Sequence, residues 1–122
     1  MGKKTILVID DDPAILDSIK TILEVNGYNV ITALTSETGL NEFKKNKPDL
    51  VLCDMMMERI DEGIMIVREM KRIDRTIPVF LLSSIGDATS DNINFMELGF
   101  NGIFQKPANL DNMLDVIEKQ LK

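Results

Sequence analysis

The chain has 122 residues, of which 44% are hydrophobic and 28% charged, a balance typical of one globular domain. It contains no histidine and a single cysteine, Cys53, which excludes a Ser-His-Asp triad, an H-E-x-x-H zinc site and an internal disulfide. The net charge of −6 disfavours direct binding to nucleic acid or to an anionic membrane, and no apolar run approaches the roughly 20 residues of a transmembrane helix. We therefore expect one cytoplasmic domain spanning residues 1–122, with neither nucleic acid nor membrane as a direct partner.

The amino-terminal part of the chain predicts a strand, a helix and a second strand. Residues 5–9 form an apolar, partly β-branched block, and Asp12-Pro13 then supplies a helix N-cap followed by proline at the first helical position. Apolar residues at helical spacing follow, namely Ile15, Ile19, Ile22 and Leu23. Asn26-Gly27 ends this helix rather than forming a hairpin turn, because the residues before it repeat with helical period. The second strand is predicted over residues 29–32.

The rest of the chain repeats the alternation. Further strands are predicted over residues 50–53, 79–82 and 102–104, and helical faces over Leu40/Phe43, Val67/Met70 and Leu110/Met113/Leu114/Ile117/Leu121. The runs after Pro48 and Pro78 are fully apolar, which is typical of strands buried on both faces. Repeated β-α units of this length predict a doubly wound α/β domain with a parallel sheet and helices on both faces.

In such folds the functional crevice lies beyond the carboxyl ends of the strands. Polar side chains follow four of the predicted strands, namely Asp10, Asp11 and Asp12 after the first, Asp54 after the third, Ser83 and Ser84 after the fourth and Lys106 after the fifth. If the first and third strands are neighbours, ionised carboxylates about 4 Å apart repel by about 4 kcal/mol per pair at an effective dielectric near 20. Mg²⁺ is the kind of hard cation that neutralises such a cluster.

This set of side chains suits phosphoryl transfer to a carboxylate. Asp54 is the candidate nucleophile, while Ser83, Lys106 and a bound cation would stabilise charge on the phosphoryl oxygens. Each residue alone also has a structural interpretation: Asp12 is better explained as the helix cap, and Cys53 as a core residue. The joint placement of the others favours a functional site.

Four segments in this order and spacing resemble the receiver domain of response regulators in two-component signalling. They are ILVIDDDP at 6–13, PDLVLCDMMM at 48–57, IPVFLLSS at 77–84 and GFNGIFQKP at 99–107. The resemblance covers nearly the whole chain. It implies a flavodoxin-like fold similar to the chemotaxis regulator, with five strands in the order 2-1-3-4-5 and five helices.

The resemblance also implies roles for individual residues. Asp54 matches the phosphorylated aspartate, and Asp10 and Asp11 match the acidic pair, with Asp11 the direct Mg²⁺ ligand and Asp10 acting largely through water. Met56 would offer its backbone carbonyl to the metal, for which Mn²⁺ could substitute. Ser83 matches the switch hydroxyl and Lys106 the lysine of the motif.

The implied partners are a histidine kinase or phosphotransfer protein, and an output domain or target protein that reads the fourth helix, fifth strand and fifth helix. The domain would be a phosphorylatable switch, with no turnover of an external substrate as its primary role. Met56 and Ile85 occupy positions that tune hydrolysis of the phosphoryl group in this family, and both are apolar. We therefore predict a comparatively long-lived phosphoryl group.

Two features depart from the family pattern. In the loop after Asp54, Glu58 replaces the usual proline and Gly63 comes one residue late. Ile103 stands where the family has a switch aromatic. Three alternatives follow: a smaller packing change at Ile103, an unexpected part for Phe104, or switching mainly by loop movement toward Ser83.

Two other functions compete with this interpretation. A haloacid-dehalogenase-type phosphatase would use the D-x-D of Asp10 and Asp12 with the G-D-x-x-x-D at 86–91, but Ala14, the late position of Lys106 and the short chain disfavour it. A module that acts by contact alone, without accepting phosphate, is the second alternative. The presence of the complete acidic, hydroxyl and lysine set argues against it.

Overall fold

Five parallel strands form one sheet in the order β2-β1-β3-β4-β5 within residues 3–54, 60–83, 99–105 and 110–121, which a computed structural model of the chain describes. The strands are β1 (Thr5–Ile9), β2 (Asn29–Ala33), β3 (Leu50–Asp54), β4 (Val79–Ser83) and β5 (Gly102–Gln105). Each predicted strand is confirmed to within one residue at its carboxyl end. The parallel sheet and the strand order implied by the family resemblance are also confirmed.

Helices connect the strands and cover both faces of the sheet. They are α1 (Pro13–Val25), α2 (Ser36–Asn46), α3 (Ile60–Ile73) and a C-terminal helix (Leu110–Leu121), which corresponds to the predicted fifth helix. The predicted fourth helix falls in residues 84–98, outside the described residues, as do Glu58 and Arg59 of the loop that departs from the family pattern. Residues 60–63 of that loop form the first turn of α3. None of the helices in the described ranges is long and apolar enough to cross a membrane.

The helix boundaries follow local sequence signals. An Asp12 carboxylate oxygen accepts the Ala14 N–H at 2.9 Å and Pro13 begins α1, which confirms the predicted cap. Gly27 follows α1 with a φ of 94°, as a helix-terminating glycine does. Lys47 ends α2 with a φ of 48°, a left-handed conformation that costs a residue with a side chain about 1 kcal/mol.

Two hydrophobic clusters sandwich the sheet. One joins Leu7, Ile9, Val51 and their neighbours to α2 and α3, and the other joins alternate residues of the same strands to α1 and the C-terminal helix. All five residues of β3 are buried, as the fully apolar run predicted. Gly39 of α2 lies directly against the Ile9 side chain, so α2 packs closely on the end of β1.

Candidate functional site

Three carboxylates converge at the carboxyl edge of the sheet. Ile9 of β1 pairs in register with Cys53 of β3, so Asp10 and Asp54 follow side by side on adjacent strand ends. Asp10, Asp11 and Asp54 each offer one carboxylate oxygen, and these oxygens all lie within 4.8 Å of one another. The predicted neighbourhood of the first and third strands is therefore confirmed, and the three side chains form an acidic cluster that could hold a metal ion.

The three carboxylates differ in exposure. Asp10 has no exposed surface and Asp54 is 5% exposed, whereas Asp11 lies at the surface. The Asp10 backbone N–H donates to the Ala33 carbonyl at 3.0 Å, and an Asp10 carboxylate oxygen accepts the Asp12 N–H at 2.9 Å. Backbone groups therefore fix Asp10 from two sides. A ligand would reach the cluster from the side of Asp11.

The anchoring role of Ala33 was missed in the sequence. The sequence pattern predicts that the second strand ends at Thr32, but β2 continues to Ala33, whose carbonyl accepts the Asp10 N–H. An alanine has no polar side chain, so the only available signal was the length of the strand. The structure adds this residue to those that shape the site.

The site carries a negative electrostatic field. Burial, together with the smaller effect of the neighbouring charges of Asp54 and Asp10, raises the pKa of the Cys53 thiol to about 12. The thiol is fully buried and neutral at physiological pH, which confirms Cys53 as a core residue rather than a metal ligand.

The donors in the cluster fit a hard divalent cation. Carboxylate oxygens are the ligands that Mg²⁺ and Mn²⁺ prefer, and a site with few carboxylates leaves room for water or a phosphoryl oxygen. Asp12 does not belong to the cluster, because its carboxylate caps α1. This outcome agrees with the interpretation of Asp12 as a cap.

Of the predicted site residues, Ser83 ends β4 and Lys106 follows β5 in the sequence, and both strands end at the same edge of the sheet as Asp54. Leu82 of β4 pairs with Asp54, and Ser83 is the next residue along β4. Ser83 pairs in turn with Gln105 of β5, the residue before Lys106. Met56 and Lys106 themselves lie outside the described residues.

Comparisons with known proteins identify the family. The family model for the response regulator receiver domain matches residues 6–118. The chain is 37% identical over 107 residues to a "probable transcriptional regulator ycf27" of Porphyridium aerugineum, covering 88% of this chain and 43% of that protein. It is 34% identical over 119 residues to the "DNA-binding dual master transcriptional regulator RpaA" of Synechocystis sp., covering 96% of this chain and 48% of that protein.

A solved structure gives the same result. A CheY-like response regulator receiver domain protein from Methanospirillum hungatei has a TM-score of 0.88 and 28% identity, covering 98% of this chain and 94% of that chain. The chain spans less than half the length of the two transcriptional regulators. The fold, the strand order and the family match agree: this chain belongs to the response regulator receiver domain family of two-component signalling.

Proposed function

We propose that this domain accepts a phosphoryl group on Asp54, with Mg²⁺, or Mn²⁺ in its place, bound by Asp10, Asp11 and Asp54. The observation that carries the proposal is the convergence of three carboxylate oxygens within 4.8 Å at the carboxyl edge of the sheet. Three anions at this spacing repel one another, and a bound divalent cation converts that repulsion into attraction. A cation held by these three carboxylates would also neutralise charge on an incoming phosphoryl group.

The transfer itself is a displacement at phosphorus. A carboxylate oxygen of ionised Asp54 forms the new P–O bond, while the bond between phosphorus and the donor's histidine nitrogen breaks and its electron pair stays on that nitrogen. Because Asp54 is 5% exposed and ends a fully buried strand, the donor must approach from beyond the strand ends. This restricted approach favours one geometry of attack.

Ser83 and Lys106 are proposed to complete the site. The hydroxyl of Ser83 would donate to a phosphoryl oxygen, and the ammonium of Lys106 would pair with a phosphoryl or carboxylate oxygen. Their support comes from the strand register. Ser83 follows Leu82, which pairs with Asp54. Lys106 follows Gln105, which pairs with Ser83. The backbone carbonyl of Met56 is proposed as a further metal ligand on the family resemblance alone.

The proposed donor is a cytoplasmic histidine kinase or phosphotransfer protein. Phosphorylation would shift the domain between two states of the surface formed by the fourth helix, β5 and the C-terminal helix. The two transcriptional regulators above are more than twice as long as the matched region, so we propose that an output domain or a separate target protein reads this surface. We also propose that residues 1–122 form a single receiver domain and make no direct contact with nucleic acid.

A phosphatase of the haloacid-dehalogenase type fits the site less well. That activity needs the carboxylate of Asp12 beside Asp10, whereas Asp12 is turned to the first turn of α1 and accepts the Ala14 N–H. We accordingly propose a switch with no turnover of an external substrate as its primary role.

Intact-mass spectrometry tests the proposal. The protein is incubated with acetyl phosphate and Mg²⁺, beside Asp54→Asn, a chelator control and Asp17→Asn, which removes an exposed carboxylate of α1 outside the cluster. We expect one phosphoryl adduct on the wild type and on Asp17→Asn, and none on Asp54→Asn or with chelator. Full labelling of Asp54→Asn would refute the proposal. Unlabelled, folded wild type would favour a contact-only module, or a phosphatase if a generic phosphomonoester is turned over.

A further inference from the structure

A second concave site lies between the carboxyl ends of α2 and α3. Its cavity measures about 520 Å³, within the range of small-molecule sites. The apolar part of the lining consists of Phe43, Pro48 and Ile73, and three cationic side chains, Lys44, Lys47 and Arg72, also line it. Phe43 and Pro48 are buried, so the apolar surface open to solvent comes mainly from Ile73, which is 44% exposed. The cavity is therefore amphipathic, with an apolar wall and a cationic rim.

This cavity is remote from the acidic cluster. Pro48 precedes β3 and Asp54 ends it, so the length of a five-residue strand, about 16 Å, separates the two regions. The cavity lies at the amino edge of the sheet, where helices end and strands begin. A ligand there would not compete with a phosphoryl donor for the same space.

Two of the three cations are available to a ligand. Arg72 is committed to Glu69, to which it donates hydrogen bonds of 2.9 and 2.5 Å. Lys44 and Lys47 make no salt bridge within the described part of the chain. Asp74, the one acidic residue in the lining, uses a carboxylate oxygen to accept the N–H and hydroxyl of Thr76 at 3.1 and 3.0 Å. Two lysines that form no ion pair in the described part of the chain therefore line this cavity, in a chain whose net charge is −6.

Lys47 provides an independent observation. It adopts a φ of 48° at the end of α2, a position that glycine usually occupies because it has no Cβ. The chain thus keeps a long cationic side chain where the backbone favours glycine, and that side chain lines the cavity. A departure from a local rule of this kind is common at functional sites.

We infer that this cavity binds a small amphipathic anion. An apolar ring or chain would pack mainly on Ile73, above the buried Phe43 and Pro48, and a carboxylate or phosphate group would lie beside Lys44 and Lys47. Both lysines also lie near the carboxyl end of α2, where a positive charge interacts favourably with the helix dipole, and Lys45 lies there too. Lys45 does not line the cavity, so substituting it tests whether the lysines act by binding a ligand or only through the helix dipole.

The test is an NMR titration of the ¹⁵N-labelled protein with three probes. The first is 2-naphthoate, an aromatic carboxylate, the second is 2-naphthalenemethanol, its neutral counterpart, and the third is inorganic phosphate. We expect 2-naphthoate to shift the amide signals of residues 43–47 and 72–74 with millimolar affinity, and the other two probes to bind at least about fivefold more weakly. Lys44→Gln and Lys47→Gln should each weaken 2-naphthoate binding about twofold to fivefold, while Lys45→Gln should leave it unchanged.

Several results would overturn the inference. They are an absence of localised shifts up to about 10 mM 2-naphthoate, equal binding of the neutral probe, equal binding of phosphate, or an equal loss on Lys45→Gln. The dispersion of each variant's spectrum confirms that it remains folded. Because the acidic cluster takes no part in this binding, the result is independent of the outcome of the phosphorylation experiment.

Discussion

The rings of Phe80 and Phe104 stack with their centroids 5.2 Å apart and an angle of 28° between their planes. This pair joins β4 to β5 on the sheet face covered by α1 and the C-terminal helix. Phe104 is 7% exposed, whereas its neighbour Ile103 is 39% exposed on the opposite face of β5. Movement of Phe104 would have to open this packed cluster. Among the three switching alternatives, the structure therefore favours a packing change at Ile103 or loop movement toward Ser83 over a part for Phe104.

The Phe104 packing predicts a difference in stability. Replacing Phe104 with Leu removes the stacked pair and part of the buried surface, and we expect the free energy of unfolding to fall by about 1 to 2 kcal/mol. Ile103→Val, at an exposed position on the same strand, should lower it by no more than about 0.5 kcal/mol. Urea unfolding followed by circular dichroism measures both. A larger loss for Ile103→Val than for Phe104→Leu would contradict the assignment of Phe104 to the core.

Asp11 and Asp12 are adjacent carboxylates with different predicted roles. Asp12→Ala removes the cap of α1 and should lower the free energy of unfolding by about 1 kcal/mol, with Mn²⁺ binding preserved. Asp11→Asn should preserve stability in the absence of metal, because it relieves repulsion within the cluster, and should weaken Mn²⁺ binding about tenfold or more. Thermal unfolding and titration calorimetry with Mn²⁺ measure the two effects. Loss of metal binding in Asp12→Ala would refute this division of roles.

The buried thiol of Cys53 predicts a pH dependence of stability. The pKa of this thiol is raised from 9.0 to about 12 by burial and by the charges of Asp54 and Asp10. Below about pH 9 the folded and unfolded states both hold the proton, so Cys53 contributes no slope. Between about pH 9 and 12 only the unfolded chain releases it, so stability falls by about 1.4 kcal/mol per pH unit from this group.

The variant Cys53→Ala isolates that contribution. We expect its unfolding free energy to fall less steeply from about pH 9 to 10.5 than that of the wild type, since every other titrating group is common to both proteins. The comparison concerns the slope with pH, not the absolute stability, which the smaller side chain also changes. Equal slopes would show that the thiol is not held in its neutral form.

The contact between Gly39 and Ile9 predicts a coupling energy. A Cβ at position 39 would overlap the Ile9 side chain, so we expect this overlap in Gly39→Ala to lower the free energy of unfolding by about 1 to 3 kcal/mol. That loss exceeds the ~1 kcal/mol that alanine contributes over glycine inside a helix. Ile9→Val removes the Cδ1 atom nearest to that Cβ. The double variant should therefore be more stable than the sum of the single changes predicts.

Gly27→Ala provides the control for this cycle. Gly27 has a φ of 94° and open space around it, so its substitution is destabilising through the backbone alone. Ile9→Val should not rescue it. Additive effects for Gly39→Ala and Ile9→Val would contradict the close contact between α2 and the end of β1.

Local sequence patterns predict much of this fold. The five strands, the cap at Asp12 and the end of α1 at Asn26-Gly27 follow from apolar periodicity and from residue-specific backbone preferences, which act over a few neighbouring residues. The order of the strands does not follow from these patterns, and it was available only through the resemblance to a family. The structure supplies the register that brings Ile9 beside Cys53 and so sets Asp10 beside Asp54.

The sequence by itself determined which side chains stand at the ends of strands, because each strand and its terminal residue are encoded locally. Only the tertiary structure decided which of them meet. Pro13 marks Asp12 as the cap of α1 in the sequence, but only the folded sheet shows that Asp10 and Asp11 converge with Asp54. Gly39 is a second example. Glycine is unfavourable inside a helix, and only the packing of Ile9 against α2 explains why a residue without a side chain stands there. These relationships depend on contacts between residues distant in the chain, which exist only when the sheet has formed.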